Sequence, residues 1–136
     1  MVVEDWRMGK VMGVLAGLVL LVGGMVPAQA APDGVWELET RDTRVQIALC
    51  GDGQQLCGAL VWLSDASYND RYRKLLNQPM MERVKQVAPN QWRGGMTLFG
   101  TAAQGTITQV SDDQLTLKGC VLLVVCKTYQ LYRHGE

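Results

Sequence analysis

Histidine is almost absent from this sequence: the only one, His134, is the third residue from the end. Chain ends are frayed in most domains, so His134 is poorly placed to act as a catalytic base. A nucleophilic serine needs such a base beside it, and Ser64, Ser67 and Ser111 have none nearby in sequence. A carboxylate pair such as Asp65 and Asp70 is the remaining enzymatic alternative, but the sequence favours a protein that is not an enzyme.

An excess of positive charge is also lacking. The sequence has 13 Lys and Arg against 13 Asp and Glu, and therefore no net charge at pH 7. Proteins that bind nucleic acid usually carry a basic patch or stripe that meets the phosphates. Nucleic acid is therefore not an expected partner.

No apolar run is long enough to span a bilayer, which takes roughly 20 residues. Segment 11–26 has sixteen residues, is preceded by Arg7 and Lys10, and is followed by a small-x-small sequence that ends at Ala30. These are the three parts of a secretory signal peptide, so we expect residues 1–30 to be cleaved. Ala31 follows the predicted cut, and a lipid-modified cysteine is not expected there.

The predicted mature chain is one domain, residues 31–136, located in the periplasm or outside the cell. Glu4 and Asp5 are unusual at the start of a signal peptide. A start at Met8 instead of Met1 gives a cleaner positive region, and we expect translation to begin there.

The four cysteines all lie in the predicted mature part. An even number of cysteines in a small exported domain indicates disulfides. The alternative is a zinc site, but the spacings C-x6-C and C-x5-C are wider than those of common zinc ligands. No metal or cofactor is therefore expected. The cysteines are Cys50, Cys57, Cys120 and Cys126.

Alternating apolar and polar residues indicate strands in the segments beside both cysteine pairs. With Cys50 opposite Cys57, the apolar side chains of two neighbouring segments share one face and the cysteines the other. The same holds with Cys120 opposite Cys126. We therefore expect the disulfides 50–57 and 120–126 among the three possible pairings. The predicted cross-strand pairs are Leu49 with Gly58, Ile47 with Leu60, Val45 with Trp62, Leu117 with Tyr129 and Leu115 with Leu131.

Seven or eight strands in sequential hairpins are predicted, which favours an all-β antiparallel meander closed into a small barrel. Segment 80–87 is a strand or, alternatively, a short helix, and Gly94 with Gly95 indicates a bulge or barrel corner. The polar segment 64–79 has no clear period and is the one long connection. The other predicted strands are 34–40, 44–50, 56–63, 92–99, 104–110, 114–119 and the strand that follows Cys126.

The mature part resembles a bacterial secreted family known as domain of unknown function 2147. The resemblance implies a lipocalin-like β-barrel in the bacterial envelope, and it implies no activity, because the family has none assigned. It is carried by Gly34 and Trp36, by Cys50 with Gly51, by the triplet Leu56, Cys57 and Gly58, by the triplet Val61, Trp62 and Leu63, by Trp92, Gly94 and Gly95, by Gly119 with Cys120, by Cys126 and by Arg133.

Trp36 and Arg133 form the first candidate pair. In lipocalin-like barrels an early Gly-x-Trp packs at the closed end, beneath a basic residue of the last strand. The resemblance therefore implies a cation–π contact with a structural role. A role of Trp36 in ligand binding is the weaker alternative.

Segment 121–125, which includes Leu122 and Leu123, is wholly apolar although it lies at a predicted hairpin tip. If it folds inward, it plugs one end of the barrel, and this reading is slightly favoured because small barrels must fill their ends. If it is exposed, it is a hydrophobic portal or a peripheral membrane contact.

The long connection supplies the remaining candidates. Tyr68, Arg71 and Arg73 could receive a carboxylate or phosphate headgroup at a barrel mouth, although a solvated loop is the simpler interpretation. Three large aromatic residues either line a cavity or, with Met96, fill a narrow interior. These are Trp62, Trp92 and Tyr129.

The leading hypothesis is a monomeric, non-enzymatic binding module for a small, partly apolar envelope ligand such as a fatty acid or lipid fragment. The rival hypothesis is an envelope-assembly or stress factor that binds proteins, with a filled barrel and no small ligand. The state of the barrel interior distinguishes the two.

Overall fold

The structure is a computed structural model that describes residues 30–122 and 124–135. Two sequence-based expectations lie outside the described residues: Leu123 and, except for Ala30, the signal peptide. Among the described residues no helix is long and apolar enough to cross a membrane.

Within these residues, eight antiparallel strands form a closed barrel. Each strand pairs with the next along the chain, and the first pairs with the last, so the predicted all-β meander barrel is confirmed. The strands are β1 (Gly34–Leu38), β2 (Thr43–Cys50), β3 (Gln55–Leu63), β4 (Pro79–Ala88), β5 (Gln91–Leu98), β6 (Thr101–Ser111), β7 (Gln114–Val121) and β8 (Val125–Arg133).

The core fills the inside of the barrel. Successive side chains of a strand point to opposite faces, so alternate residues of each strand meet inside. Among the buried side chains of the described residues, only those of Thr43 and Gln109 are polar. Gln109 Nε2 donates a hydrogen bond to the carbonyl of Ala30 (2.8 Å). The largest fully buried side chains are Trp36, Ile47, Leu56, Ile107, Leu115 and Leu131.

The β2–β3 hairpin differs from the predicted register by two residues. Ile47 pairs with Gly58, Cys50 pairs with Gln55, and the Cys50–Cys57 disulfide joins the strands diagonally. The turn occupies only residues 51–54, because Gly51 and Gly53 adopt positive φ angles of 62° and 91° that permit a tighter reversal. A shift of two residues leaves every side chain on its predicted face, so the disulfide forms as expected.

Trp62 does not face the interior, and its predicted pairing with Val45 is wrong. A register irregularity between Arg44 and Val45 places Trp62 opposite Arg44, and Leu63 joins the core instead. The Arg44 guanidinium lies 3.9 Å from the centroid of the Trp62 ring, and its Nε is 2.8 Å from Glu37 Oε2. Trp62 is therefore a half-buried residue of the outer wall.

The β7–β8 hairpin has the predicted register throughout. Cys120 pairs with Cys126, Leu117 with Tyr129 and Leu115 with Leu131. The two cysteines are joined by the predicted disulfide.

Segment 79–88 is the strand β4, and not a helix. The irregularity expected at Gly94 and Gly95 lies in the strand opposite them, where the β4–β5 register shifts between Met81 and Lys85. Arg83 adopts a positive φ of 54° within this shift. A Cβ at Gly94 would lie 3.4 Å from Val84 Cγ1, in van der Waals contact with this strand.

The barrel has two different ends. We call the end where β1 begins and β8 finishes the closed end; it carries the turns 51–54, 89–90 and 112–113. The opposite end, here called the open end, carries the β1–β2 turn, the long connection 64–78, the β5–β6 turn and the tip of the β7–β8 hairpin.

Arg133 ties the closed end together. Its guanidinium lies 4.4 Å from the centroid of the fully buried Trp36 ring. It also donates to the carbonyls of Asp112 (2.9 Å), Asp33 (2.9 Å) and Ala31 (3.0 Å). Trp36 Nε1 in turn donates to the carbonyl of Pro32 (2.8 Å). One side chain thus fastens the N-terminal segment and the 112–113 turn across the end of the barrel.

We expect Arg133→Ala to lower the free energy of unfolding by about 2–3 kcal/mol, because it removes a cation–π contact and several charge-assisted hydrogen bonds at a partly exposed site. Arg133→Lys keeps the charge but cannot reach three carbonyls at once, so it should restore less than half of this loss. Urea unfolding followed by tryptophan fluorescence measures both variants. Full restoration by lysine would show that charge alone matters.

Candidate binding site at the open end of the barrel

The interior of the barrel is filled. Two internal cavities of about 40 Å³ and 10 Å³ remain among its side chains, whereas pockets for drug-sized ligands measure about 300–1,000 Å³. Trp92 and Met96, two of the residues expected to line or fill a cavity, are buried in this core. Trp92 Nε1 donates to the carbonyl of Gln54 (2.8 Å) in the closed-end turn. Among the described residues, the interior therefore holds no ready-made ligand chamber.

The long connection covers the open end. Its half-buried side chains Tyr72, Leu75 and Leu76 pack against the core. Leu76 forms a parallel bridge with Leu60, and the Asn77 amide donates to the Leu60 carbonyl (2.6 Å). This arrangement differs from the expectation that segment 121–125 plugs the barrel, because the apolar residues of the connection already occupy the mouth.

Local hydrogen bonds shape the connection. Residues Asp65–Ser67 and Arg73–Leu75 form single 3₁₀ turns, and the Ser64 side chain accepts from the Ser67 amide (3.3 Å). Asn69 Oδ1 accepts from the amides of Arg71 (3.0 Å) and Tyr72 (2.9 Å), which is the chain reversal that asparagine favours. Arg71 and Tyr72 are thereby held over the mouth.

An aromatic cluster lies beneath this reversal. The Phe99 ring contacts Tyr72 (6.2 Å between centroids) and Tyr129 (5.7 Å). Phe99 has a positive φ of 51° and precedes Gly100, whose φ is 86°. Asparagine or glycine would fit this conformation with less strain. The aromatic packing offsets the strained backbone.

Two grooves open beside the aromatic cluster. The first, which we call the Arg71 groove, measures about 240 Å³. The second, which we call the Asp42 groove, measures about 360 Å³. Phe99, Lys127 and Tyr129 line both. The Arg71 groove also contains Leu98, Val121 and Val125, and its only charged side chains are Arg71 and Lys127.

The β1–β2 turn places a carboxylate in the Asp42 groove. Oδ1 of Asp42 accepts from Thr40 Oγ1 (2.5 Å) and Thr43 Oγ1 (3.1 Å). The hydrogen bond from Thr40 is the largest influence holding the pKa of Asp42 below its ordinary value; burial opposes it, and bonds from Thr43 and Ser67 add to it. The Asp42 carbonyl accepts from the Ser64 amide (2.9 Å), which ties this turn to the long connection.

The hairpin tip is exposed. We use this name for residues 121–125 without Leu123, which the structure does not describe. Leu122, Val124 and Val125 have exposed fractions of 83%, 79% and 65%. Leu122 also borders a wide, solvent-open depression on the outer wall, whose other lining residues include Met80, Glu82 and Gln104.

The structure brings together only some of the predicted binding residues. Arg71 and Tyr129 meet in the Arg71 groove, beside the hairpin tip. Tyr68 is 55% exposed and lines neither groove, and Arg73 Nε is paired with Asp70 Oδ1 (3.0 Å). Trp62 and Trp92 lie elsewhere, on the outer wall and towards the closed end.

Sequence reasoning missed two residues of the site. Lys127 follows the last cysteine, and its Nζ lies 5.3 Å from the centroid of the Tyr129 ring. Phe99 carried a usable signal, because a large aromatic residue before glycine in a two-residue turn is locally unfavourable. Among the described residues no group of His, Cys, Asp and Glu side chains could hold a metal ion.

A closed meander of eight strands, fastened by Trp36 and Arg133 and covered at its other end by a long connection, is a lipocalin-like β-barrel. The chain belongs to the family described as "uncharacterized protein conserved in bacteria" (DUF2147), whose model matches residues 34–133. No curated protein matches the chain.

Two solved structures resemble the barrel. Protein HP1028 of Helicobacter pylori, which is described as a member of the lipocalin family, is 13% identical in sequence. That alignment covers 79% of this chain and 85% of the other, with a TM-score of 0.60. A redesigned β-barrel is 16% identical over 76% of this chain and 91% of its own, with a TM-score of 0.48. At these identities the likeness concerns the fold alone.

The lowered pKa of Asp42 predicts how the free energy of unfolding changes in acid. Because its pKa is lower in the folded protein, its carboxylate stabilises the fold above the ordinary pKa of aspartate, and this contribution is lost as the pH falls through the folded-state value. Asp42→Asn should cost less than about 1 kcal/mol at pH 7, since the carboxylate is partly solvated. The difference from the unmodified protein should vanish in strong acid.

Urea unfolding at pH 7, 4 and about 2 measures this difference. Thr40→Val removes the main donor and should show the same pH dependence. A stability gap of Asp42→Asn that stays constant down to the lowest pH would contradict the assignment.

Proposed function

We propose that the mature chain is an exported, monomeric, non-enzymatic binding module of the bacterial envelope. Its proposed ligand is small and partly apolar with an anionic head, such as a fatty acid or lipid fragment. The signal-peptide pattern and the two disulfides support export to an oxidising compartment. The lipocalin-like barrel supports a binding function in general terms.

The Arg71 groove is the observation that carries this proposal. Two cations line it without any acidic side chain, and its floor includes Phe99 and Tyr129. A carboxylate or phosphate head between Arg71 and Lys127 would form charge-assisted hydrogen bonds. An alkyl chain lying on the two aromatic rings would remove apolar surface from water.

The small interior supports a binding site at the mouth. Cavities of 40 Å³ and 10 Å³ cannot enclose an alkyl chain without rearrangement, whereas the two grooves at the mouth share the Lys127 and Tyr129 side chains and are several times larger. A longer tail could enter the barrel only by displacing Leu75 of the long connection, which borders the larger internal cavity.

A second candidate function follows from the same filled interior. A barrel without a chamber could act through its outer surface, as an envelope-assembly or stress factor that binds proteins. The half-buried Arg44–Trp62 pair on the outer wall would be available to such a partner. This candidate requires no small ligand.

The test titrates the mature protein with dodecanoate in a calorimeter. We expect Lys127→Gln to weaken binding about tenfold, because a charge-assisted hydrogen bond is lost in a groove open to solvent. Lys85→Gln is the matched control, since Lys85 is an exposed lysine near the closed end, and it should bind as the unmodified protein does.

Native mass spectrometry of the protein purified from its own host complements this titration. A bound mass that disappears on denaturation would support the carrier. A bare monomer mass, combined with no heat on addition of dodecanoate, would reject the carrier and favour the protein-binding function.

A further inference from the structure

The hairpin tip exposes apolar side chains, of which Leu122 and Val124 line neither groove at the mouth. Leu122, Val124 and Val125 point largely into solvent, while the mouth beside them is already covered by the long connection. The Cys120–Cys126 disulfide closes the hairpin directly below the tip. Because the disulfide constrains the hairpin, the apolar residues of the tip are held in a fixed position.

Leu122 is unfavourable by two local criteria. It adopts a positive φ of 56°, which glycine or asparagine would adopt with less strain. Unlike Phe99, it gains no packing in return, because 83% of its surface is exposed. Local rules broken without an internal compensation are typical of functional positions.

The half of the chain that carries the tip has few acidic residues. From Arg83 to Gly135 the only acidic residues are Asp112 and Asp113, and both lie in a turn at the closed end. The acidic residues of the mature chain are otherwise concentrated before Arg83, apart from Glu136. Although the sequence has no net charge, its acidic residues are therefore concentrated in the first half of the mature chain and its second half is mainly basic.

Arg71 and Lys127 stand next to the tip, lining the same groove as Val121 and Val125. The carboxylates at this end lie on other elements. Glu39 and Asp42 line the Asp42 groove, which Lys127 shares, Asp70 is paired with Arg73, and Glu82 lies on the outer wall. The Arg71 groove itself has two cations and no acidic side chain, and it lies beside the exposed aliphatic side chains of the tip.

We propose that the hairpin tip docks on an anionic membrane surface, with its aliphatic side chains in the headgroup region and Arg71 and Lys127 against lipid phosphates. Interfacial binding of this kind combines buried apolar area with attraction between basic residues and anionic lipids. A convex tip suits a deformable bilayer, whereas a protein partner would need a matching cavity. The adjacent cations favour an anionic membrane surface.

This docking shares Arg71 and Lys127 with the proposed soluble ligand, but its apolar contact at Leu122 is separate. Leu122 lines neither groove at the mouth, so a defect at the tip and a defect in ligand binding can be separated. If the protein both docks on a membrane and binds a soluble ligand, docking orients the Arg71 groove towards the membrane.

The experiment measures sedimentation of the mature chain with vesicles of phosphatidylglycerol and phosphatidylcholine, compared with phosphatidylcholine alone. We expect binding to the anionic vesicles, and a decrease at high salt because the contacts lie at the surface. Leu122→Ser with Val124→Ser should weaken binding at least about tenfold. The matched control is Val87→Ser with Val110→Ser, two exposed valines near the closed end, which should leave binding unchanged.

Two further variants separate docking from folding and test the charges. Leu122→Asn suits the left-handed backbone, so it should unfold no more easily than the unmodified protein, bind dodecanoate normally and still lose vesicle binding. Arg71→Gln with Lys127→Gln should weaken vesicle binding about tenfold, whereas Lys85→Gln with Arg93→Gln should not.

Failure of the unmodified protein to bind anionic vesicles would overturn the proposal. Equal binding by the tip variant and the valine control would do the same. Self-association through the tip without vesicle binding would also overturn it and assign the tip to a second copy of the chain.

Discussion

Closure of the barrel depends on one short strand. β1 has five residues, yet it pairs with both β2 and β8, and its middle residue Trp36 pairs with Arg133 across the seam. The same two residues stack, and Arg133 fastens the segment before β1 to the 112–113 turn. A ring of eight strands is just wide enough to be filled by its own side chains or to hold one small ligand. In this barrel the interior side chains fill most of that space.

A filled interior moves recognition to the open end. The long connection brings its own leucines to the mouth, and the aromatic cluster around Phe99 forms the floor of both grooves. Two large apolar residues described at this end, Phe99 and Leu122, have positive φ angles. At Phe99 the strain is offset by aromatic contacts, whereas at Leu122 no internal contact offsets it. The two positions therefore call for different explanations, one based on packing and the other on an external surface.

The fold was largely predictable because alternation and cysteine spacing act locally. The β7–β8 register followed directly, since Cys120 and Cys126 are true cross-strand neighbours. The β2–β3 register did not, because a diagonal disulfide and a direct one differ by only two residues and leave every side chain on the same face. Trp62 was misplaced because a bulge reverses alternation without a sequence signal. The long connection lacks a period, so its covering role depends on contacts between distant residues and could not be read locally.

Both disulfides join residues within a single hairpin, at sequence separations of 7 and 6, and neither crosses the seam between β1 and β8. Consecutive cysteines along the chain are therefore native partners. An oxidant that links each cysteine to the next one it meets would produce the correct pairs in order, before the last strand is available to close the ring. Covalent assembly of this protein thus needs neither a completed barrel nor a reshuffling step, and the seam between β1 and β8 is held by non-covalent contacts alone.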